Sequence, residues 1–361
     1  MKRRLTNEVI IGSIHKVAIG GNNPIAIQSM CNTKTSDVAS TVSQIQALEK
    51  AGCNIIRVAV LNLDDAYAIK EIKKHINIPL VADIHFDYKL ALAAIDAGVD
   101  KLRINPGNIG SIDKVKLVVN KCIEHNIPIR IGVNMGSLNK EIEEKYGRCA
   151  KALFESAKEH IQILESLNFH NIVVSVKASN ISTCIEAYEM LSKAYPYPLH
   201  IGITEAGSEY QGLVKSSIGL GILLNEGIGD TIRVSLSDDP IKEIKAAKEI
   251  LANFNYYTKP LITACPTCGR TQYDMLPILK IIEEYVNNTY PNENIHIAIM
   301  GCAVNGPGEA KDADIGIAGG INEALLFKKG QIIRKIKEEN IIKEFKLEID
   351  NYIKEKSAKS K

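Results

Sequence analysis

The stretch PLVADIHFDYKLALAAIDAGVDKLRINP (79–106) holds one complete strand, helix and strand of a repeating unit. Its two outer runs, 79–85 and 101–106, are short and apolar, and the segment between them has the pattern of an amphipathic helix. Strands that alternate with helices in this way form parallel sheets that are buried on both faces. The same alternation continues from about residue 25 to residue 252.

Eight such units follow one another along the chain. The predicted strands are 25–30, 54–60, 79–85, 101–106, 128–134, 171–179, 200–207 and 231–237. Eight consecutive units are the count for a TIM (β/α)8 barrel, whose active site lies at the carboxyl ends of the strands. We therefore predict an α/β fold with a TIM barrel over residues 1–256 as the substrate-binding domain.

The segment VIIGSIHKVAIGG (9–21) precedes the first unit and contains two β runs separated by glycine. It predicts a hairpin that closes the bottom of the barrel, and a disordered arm is the alternative.

In the first predicted helix, at 37–52, Val38, Ile45 and Leu48 share one face, and Gly52 is a suitable C-terminal stop.

The pattern changes after residue 256, and residues 257–361 are predicted to form a smaller α+β domain. Its expected elements are a short strand before CPTCGR, a helix at about 272–288, a strand at 295–300 and a strand at 314–320. The tail from Lys328 to Lys361 carries eleven Lys and Arg against six Asp and Glu. We expect a solvated helix face there, and docking of an acidic electron carrier is a weaker alternative.

Composition excludes several classes of protein. Lys and Arg number 44 against 42 Asp and Glu, so no field of one sign favours nucleic acid as a partner. The basic N-terminus lacks the apolar region of a signal peptide, and no window approaches the ~18 apolar residues of a membrane span. We expect a cytoplasmic protein, in which the eight cysteines are free thiols or metal ligands rather than disulfides.

One pair of cysteines, Cys265 and Cys268 in CPTCGR, has the C-x-x-C spacing that presents both sulfurs to a single metal or cluster. The spacing alone also fits half a zinc site, a redox dithiol or two packed cysteines. A third thiol, Cys302, opens the loop GCAVNGPGE (301–309), whose glycines and proline allow close approach of the backbone. The other five cysteines are interpreted as small hydrophobic residues.

A fourth ligand is needed for either a zinc ion or a cluster. His296 lies inside an apolar strand and is interpreted as a packed surface histidine. Glu309 lies on the same loop as Cys302, and an oxygen ligand there would leave one iron of a cubane cluster open to exchange with substrate. The alternative is that Glu309 only caps or solvates the loop.

Ionisable and polar side chains stand late in almost every predicted barrel strand, where apolar residues are expected. They are Arg57, Asp83, His85, Arg103, Asn105, Arg130, Asn134, Lys177, Glu205, Arg233 and Ser235. Five positive and two negative charges leave an excess of three positive charges at the barrel mouth. Since Arg and Lys bind phosphoryl oxygens, we predict a phosphorylated small molecule as the ligand, although any single residue could belong to a structural ion pair.

Glu205 and Asp83 are the acid-base candidates, because a carboxylate among cations in a closed site can move protons. Glu205 is preferred, since its neighbours in TEAG are small and leave room for a ligand. Asp83 could equally hold His85 or an arginine in place, and His85 could be a satisfied core histidine.

With CPTCGR, GCAVNGPGE, GITEAG and IRVSLSDDP, the sequence resembles the bacterial 4-hydroxy-3-methylbut-2-enyl diphosphate synthase family of the methylerythritol phosphate route to isoprenoids. The resemblance runs from Gln28 to about residue 320. It matches the short bacterial form, because no extra domain separates TIRVSLS from CPTCGR. Cys31 departs from the family's usual threonine and touches no assigned role.

The resemblance implies a TIM barrel followed by an α+β iron-sulfur domain, and a 4Fe-4S cluster held by Cys265, Cys268, Cys302 and Glu309. It implies that the barrel's Arg, Lys and Ser side chains bind diphosphate and that Glu205 handles protons. The implied reaction is reductive ring opening of a cyclic diphosphate, with electrons from ferredoxin or flavodoxin. The implied assembly is a homodimer with composite active sites.

Two rival hypotheses come from other classes. One is a phosphate-binding barrel enzyme of the aldolase or pterin-synthase kind with a structural zinc on its second domain. The other is a C-terminal zinc-type module that binds nucleic acid, which the charge balance disfavours.

Overall fold

The computed structural model describes residues 3–204, 207–303, 308 and 310–359. The chain divides into two compact units, with the boundary between Tyr256 and Tyr257. Among the described residues, no helix combines the length and the apolar character needed to cross a bilayer.

The first unit is a (β/α)8 barrel preceded by a hairpin. The hairpin strands are β1 (Val9–Ile11) and β2 (Val17–Ile19). The barrel strands are β3 (Ala26–Met30), β4 (Ile55–Ala59), β5 (Leu80–Asp83), β6 (Lys101–Ile104), β7 (Ile129–Asn134), β8 (Ile172–Lys177), β9 (His200–Ile201) and β10 (Thr231–Ile232). The helices are α1 (Val38–Lys50), α2 (Leu63–Ile72), α3 (Tyr88–Asp96), α4 (Ile112–Glu124), α5 (Lys140–Tyr146), α6 (Ala150–Ser166), α7 (Ile181–Ala194), α8 (Glu209–Asn225) and α9 (Pro240–Asn253).

The eight barrel strands form one parallel sheet in the order β8, β7, β6, β5, β4, β3, β10, β9. A parallel bridge between Val174 and Leu199 joins the two ends of the sheet. This closure confirms the predicted TIM barrel. The strands are shorter than predicted, most of all β9 and β10, which have two residues each. The reason is that an apolar run in the sequence marks burial and does not mark where the hydrogen-bonded ladder ends.

Capping residues set where the helices begin. The Asp37 carboxylate accepts from the Ser40 amide at 3.1 Å and starts α1, which ends at Lys50 shortly before Gly52, a residue with φ +99°. Asp239 caps α9 in the same way and is followed by Pro240 in the first turn.

The hairpin covers the amino-terminal end of the barrel, as predicted. Val9 pairs with Ile19 in an antiparallel register. Val9, Ile11 and Ile19 are buried against side chains near the starts of the barrel strands, including Ile55 and Val81. The alternative of a disordered arm is wrong.

The second unit is an α+β domain with a five-stranded mixed sheet in the order β11 to β15. Its strands are β11 (Leu261–Ala264), β12 (His296–Met300), β13 (Ile315–Gly320), β14 (Glu323–Lys328) and β15 (Gln331–Lys337). Its helices of at least two turns are, among the described residues, α10 (Met275–Thr289) and α11 (Ile341–Lys359). Strands β11, β12 and β13 are parallel neighbours, and β14 and β15 add antiparallel edges.

The interpretation of the basic tail as a solvated helix face is wrong for its first part and incomplete for its second. Its first part is β15, the edge strand of the sheet. Its second part, α11, buries a stripe of apolar residues spaced four apart, which are Ile341, Phe345, Ile349 and Ile353, in the core of the domain. The charge count of the tail concealed this stripe, because the lysines lie on the remaining faces of the helix.

Candidate functional site

A cavity of about 180 Å³ lies at the carboxyl ends of the barrel strands. It is lined by Met30, Arg57, Asp83, His85, Arg103, Arg130, Gly132, Asn134, Ser175, Lys177, Thr204, Arg233 and Ser235. Nine of these residues were predicted as site residues from their positions late in the strands. A larger groove of about 440 Å³ lies at the opposite end of the barrel, beside the hairpin. Active sites of this fold lie at the carboxyl ends of the strands and not at that end.

Five cationic side chains converge on the cavity: Arg57, Arg103, Arg130, Lys177 and Arg233. Arg130 is only 1% exposed and Lys177 only 7%. Burial, followed by the neighbouring charges of Arg233, Arg130 and Arg57, lowers the pKa of Lys177 well below its ordinary value. Cations buried next to one another repel and lose hydration, so the arrangement favours a multiply charged anion as the occupant.

Asp83 is the carboxylate at the centre of this cationic group. Its Oδ1 accepts from Arg103 at 3.0 Å, its Oδ2 lies 3.7 Å from Arg57 Nε, and His85 Nε2 lies 3.6 Å away. Burial alone would raise the pKa of Asp83, but Arg57, His85, Arg103 and Arg130 together hold it below its ordinary value. A carboxylate in these surroundings stays ionised, so its contacts support the alternative that Asp83 holds the arginines and His85 in place.

Glu243 is a second buried carboxylate beside the cavity, and sequence reasoning missed it. It lies in the first turn of α9, where Oε2 accepts from Ser29 at 3.0 Å and lies 3.8 Å from Arg233 Nε. Its Oε1 accepts from the Leu236 amide at 3.0 Å. Because Glu243 follows its strand in an ordinary helical segment, only the fold brings it to Ser29. Five cations against Asp83 and Glu243 leave three positive charges in excess among the described residues.

Two glycines, Gly132 within β7 and Gly202 directly after β9, make room for the cations, and neither was predicted from the sequence. The carbonyl of Gly132 accepts from Arg103 Nη2 at 2.5 Å, and a Cβ atom at Gly132 would lie 2.3 Å from Arg103 Nε. A Cβ atom at Gly202 would lie 2.9 Å from Lys177 Nζ. Glycine within a strand is the signal that could have indicated these close approaches.

We expect Gly132→Ala to weaken binding of inorganic pyrophosphate by roughly tenfold or more, because the new methyl group displaces the Arg103 guanidinium from Asp83 and the cavity. Gly136→Ala is the matched control, since a Cβ atom there meets nothing within 4 Å. Calorimetric titration of both variants measures the difference. Equal affinity of Gly132→Ala and the unchanged chain would contradict the assigned role of Arg103.

The remaining predicted barrel residues differ in their positions. His85, Asn134 and Ser235 line the cavity, and the side chain of His85 is 47% exposed, so it is not a core histidine. Asn105 is buried and does not line the cavity, because its Oδ1 accepts from the Gly132 amide at 2.9 Å. Its contact fixes the strand that carries Arg130. Glu205 lies outside the described residues.

The three cysteines of the second domain lie at the carboxyl ends of adjacent parallel strands. Ala264 of β11 pairs with Ile299 of β12; Cys265 follows β11 directly, and Cys302 follows β12 after one residue, Gly301. A Cβ atom at Gly301 would lie 2.7 Å from Thr271 Oγ1 and 3.5 Å from Cys265 Sγ, so glycine there lets the backbone before Cys302 pack against Thr271, next to Cys265. The sheet thus brings together two motifs that are far apart in the sequence.

A tight turn holds Cys268 beside them. Thr267 has φ +44°, the Cys268 carbonyl accepts from the Thr271 amide at 3.0 Å, and the Thr271 hydroxyl accepts from the Cys268 amide at 3.2 Å. Cys268 is exposed, and Cys265 and Cys302 are partly exposed, with no disulfide among the eight cysteines. These accessible thiols fit the ligand set of an iron-sulfur cluster.

Within the described residues, no three His, Cys, Asp or Glu side chains are close enough to hold a single metal ion. Cysteines that bind different irons of a cluster stand farther apart than the ligands of one ion. His296 begins β12, at the end away from Cys302, and its Nε2 is 2.7 Å from Thr263 Oγ1. It is therefore badly placed as a zinc ligand. Glu309 lies outside the described residues.

The other five cysteines lie in the barrel unit. Cys31, Cys53, Cys122 and Cys184 are buried, and burial raises the pKa of each thiol. Cys149 is partly exposed and precedes α6, where its thiol donates to the Tyr146 carbonyl. The interpretation as packed hydrophobic residues is correct for the four buried cysteines.

Comparison with known proteins covers both domains. Residues 6–248 match the family model described as the GcpE TIM-barrel domain, and residues 261–351 match the GcpE protein C-terminal domain. A 4-hydroxy-3-methylbut-2-en-1-yl diphosphate synthase (flavodoxin) from Clostridium perfringens is 58% identical over 95% of this chain and 98% of its own length. A protein of the same name from Geobacillus thermodenitrificans is 55% identical over 99% of this chain and 95% of its own length.

Among solved structures, 3-dehydroquinate dehydratase from Geobacillus kaustophilus aligns with a TM-score of 0.50 and 12% identity. The alignment covers 70% of this chain and 99% of the dehydratase. At that identity the similarity extends to the barrel fold alone.

Proposed function

The chain belongs to the GcpE family, and from this membership we propose how its two domains carry out the family's reaction. It is an oxidoreductase of the methylerythritol phosphate pathway, a 4-hydroxy-3-methylbut-2-enyl diphosphate synthase in activity. The reaction opens the ring of 2-C-methyl-D-erythritol 2,4-cyclodiphosphate and forms (E)-4-hydroxy-3-methylbut-2-enyl diphosphate.

The barrel cavity binds the cyclic diphosphate in this proposal. The observation that carries it is the convergence of five buried or half-buried cations on a cavity of about 180 Å³. Guanidinium groups donate two parallel hydrogen bonds to phosphoryl oxygens, and Lys177 adds a point charge. Asn134, Ser235 and His85 line the same cavity and add polar side chains that can donate hydrogen bonds.

Within this cavity Asp83 and Glu243 hold the cations in position. Asp83 contacts Arg103 and Arg57, and Glu243 contacts Arg233. Asn105 acts one step further away, through Gly132. We propose Glu205 as the proton-transferring carboxylate, because it follows Thr204, a residue that lines the cavity. An ionised Asp83 is less suited to donate a proton.

In the second domain, Cys265, Cys268 and Cys302 would hold a 4Fe-4S cluster, with Glu309 as a fourth, exchangeable ligand. The proposal rests on the position of the three thiols at one edge of the sheet and on their accessibility. When bound, such a cluster supplies electrons one at a time to the substrate. The overall step takes up two electrons and two protons, breaks a ring C–O bond and releases a water molecule.

We further propose flavodoxin as the electron donor, because the curated relatives carry it in their names; ferredoxin is the alternative. We propose a cytoplasmic location, where thiol ligands stay reduced. We also propose a homodimer with composite active sites, which the resemblance of the sequence to this family implies.

Iron and acid-labile sulfide analysis of anaerobically purified protein tests the cluster proposal. We expect close to four irons and four sulfides per chain, in the ratio of a cubane cluster. Zinc without iron and sulfide would instead support the rival barrel enzyme with a structural zinc.

A further inference from the structure

Beneath the proposed substrate cavity, the barrel interior holds polar side chains where this fold usually packs branched apolar residues. They are Gln28, Lys101, Arg130, His200 and Thr231, and we call them the polar layer. Each is at most 1% exposed. Apart from Arg130, none lines the cavity or has a role in the proposed reaction.

The polar layer contains many hydrogen-bonding atoms without a partner among the described residues. These are both side-chain ends of Gln28, Lys101 Nζ, Arg130 Nε and Nη1, both ring nitrogens of His200, and Thr231 Oγ1. Leaving one buried polar atom unpaired is unfavourable, and a fold rarely leaves so many in one region. Their concentration points to a function rather than to packing.

Strand register places the polar layer directly below the cationic cavity. Lys101 and Arg103 are two residues apart on β6, so they face the same side, about 6–7 Å apart along the strand. Arg103 pairs with Arg130, and His200 pairs with Thr231. Arg130 belongs to both regions, because it also lines the cavity.

Among the described residues, the charges that affect the pKa of Lys101 are positive. Burial, followed by the charges of Arg130 and Arg57, lowers the pKa of Lys101 well below its ordinary value. His200 is affected in the same direction by burial and then by Arg130, Lys177, Lys101 and Arg57. Tyr188, which lies near Arg130, has a pKa raised by burial and stays neutral. Asp83, the carboxylate of the cavity, is already bound by Arg103 and Arg57.

Binding of an anion in the cavity would counteract the positive charges that lower the pKa of Lys101. A diphosphate bound by the five cations neutralises the repulsion that acts on Lys101 and adds negative charge a short distance above it. In a protein interior each such charge changes the proton affinity of a nearby amine by on the order of tenfold or more. Polar atoms that can accept a hydrogen bond lie in the same layer, since Gln28 Oε1, Thr231 Oγ1 and the ring nitrogens of His200 have no partner among the described residues.

We propose that Lys101 takes up a proton from solvent when a diphosphate anion binds in the barrel cavity, so that the polar layer adds one positive charge to the occupied site. The proton is transferred from hydronium or a buffer acid to the lone pair of Lys101 Nζ, so the bond to hydrogen in that acid breaks as the N–H bond forms, and no oxidation state changes. Lys101 is thus a positioning residue that acts through the charge at Arg130 and Arg103. The inference rests on the proposed diphosphate site in the barrel.

Calorimetric titration of the cluster-containing full chain with inorganic pyrophosphate tests this. The same titration in two buffers of different ionisation enthalpy at one neutral pH gives the number of protons taken up on binding. Lys101→Met and Lys101→Gln are expected to lower that number by about one proton and to weaken binding by roughly tenfold. Lys116→Met, an exposed change on α4, should leave both quantities unaltered.

The two Lys101 variants should fold, because they remove a buried basic group without a described partner. Their melting temperatures are expected to equal or exceed that of the unchanged chain. Proton uptake that is the same in the unchanged chain and in both variants would overturn the role of Lys101 alone. Failure of the unchanged chain to bind pyrophosphate would overturn the diphosphate site itself, and the inference with it.

Discussion

Replacing Cys302 with alanine is expected to abolish the visible absorption of a 4Fe-4S cluster and to reduce turnover to background. Cys302 lies two residues after the end of β12 and is, among the described residues, the one thiol at this edge that does not come from the CPTC turn. Without it, Cys265 and Cys268 lie on a single turn and can bind only one side of a cluster. Absorption and iron content after anaerobic purification, together with turnover, measure the effect.

Cys149→Ala is the matched control for this change, because Cys149 is likewise partly exposed and lies in the barrel unit. It should keep iron, absorption and activity. If Cys302→Ala kept both the cluster absorption and turnover, the assignment of the three cysteines as cluster ligands would be wrong.

The second large effect is expected for Arg130→Met, which should lower kcat/KM at least about a hundredfold while the cluster still assembles. Arg130 is 1% exposed, lines the cavity and has two nitrogens without a described partner. Losing a buried guanidinium that binds a phosphoryl group costs about 2–5 kcal/mol of binding free energy. Because Arg130 is surrounded by other cations, its removal should not destabilise the fold.

Arg148→Met is the control for Arg130→Met. Arg148 is exposed and only 3.4 Å from Glu143 in a surface ion pair, which contributes little. The measurement is the steady-state rate under anaerobic conditions, with iron content determined on the same samples. A rate for Arg130→Met within a few-fold of the unchanged chain would exclude Arg130 from substrate binding.

The barrel could be predicted from the sequence because each strand is an apolar run followed by a helical period, and this pattern reports burial directly. The cavity cations could be predicted for the same reason, since Arg130 and Lys177 interrupt apolar runs that the fold buries. The two cysteine motifs were recognisable from spacing, and the sheet places them at one edge.

Other features depend on contacts that no local pattern encodes. Glu243 lies beside Arg233 of the cavity and accepts a hydrogen bond from Ser29, a residue 214 positions away in the sequence. Gly132 is needed because Arg103 passes over it, and this contact is visible only in the packed barrel. Net charge misled the interpretation of the C-terminal tail, because a helix can bury Phe345 and Ile349 on one face and still be rich in lysine.

Lys101 illustrates a further limit. It stands only two residues before Arg103, but a lysine at the start of a strand is usually solvated, so the sequence gives no sign that Lys101 is buried. The register shows that Lys101 faces the barrel interior, and its side chain is 0% exposed. The position of a residue at the end of a strand therefore does not predict whether its side chain is exposed or buried.

The proposal that the cavity cations and the cluster cysteines together reduce the cyclic diphosphate is tested by anaerobic turnover of 2-C-methyl-D-erythritol 2,4-cyclodiphosphate by the iron-loaded full chain, with reduced flavodoxin as donor. We expect stoichiometric formation of 4-hydroxy-3-methylbut-2-enyl diphosphate, which is lost in Cys302→Ala and strongly reduced in Arg130→Met. Absence of product from protein with a full complement of iron and sulfide, or product formation undiminished in both variants, would contradict it.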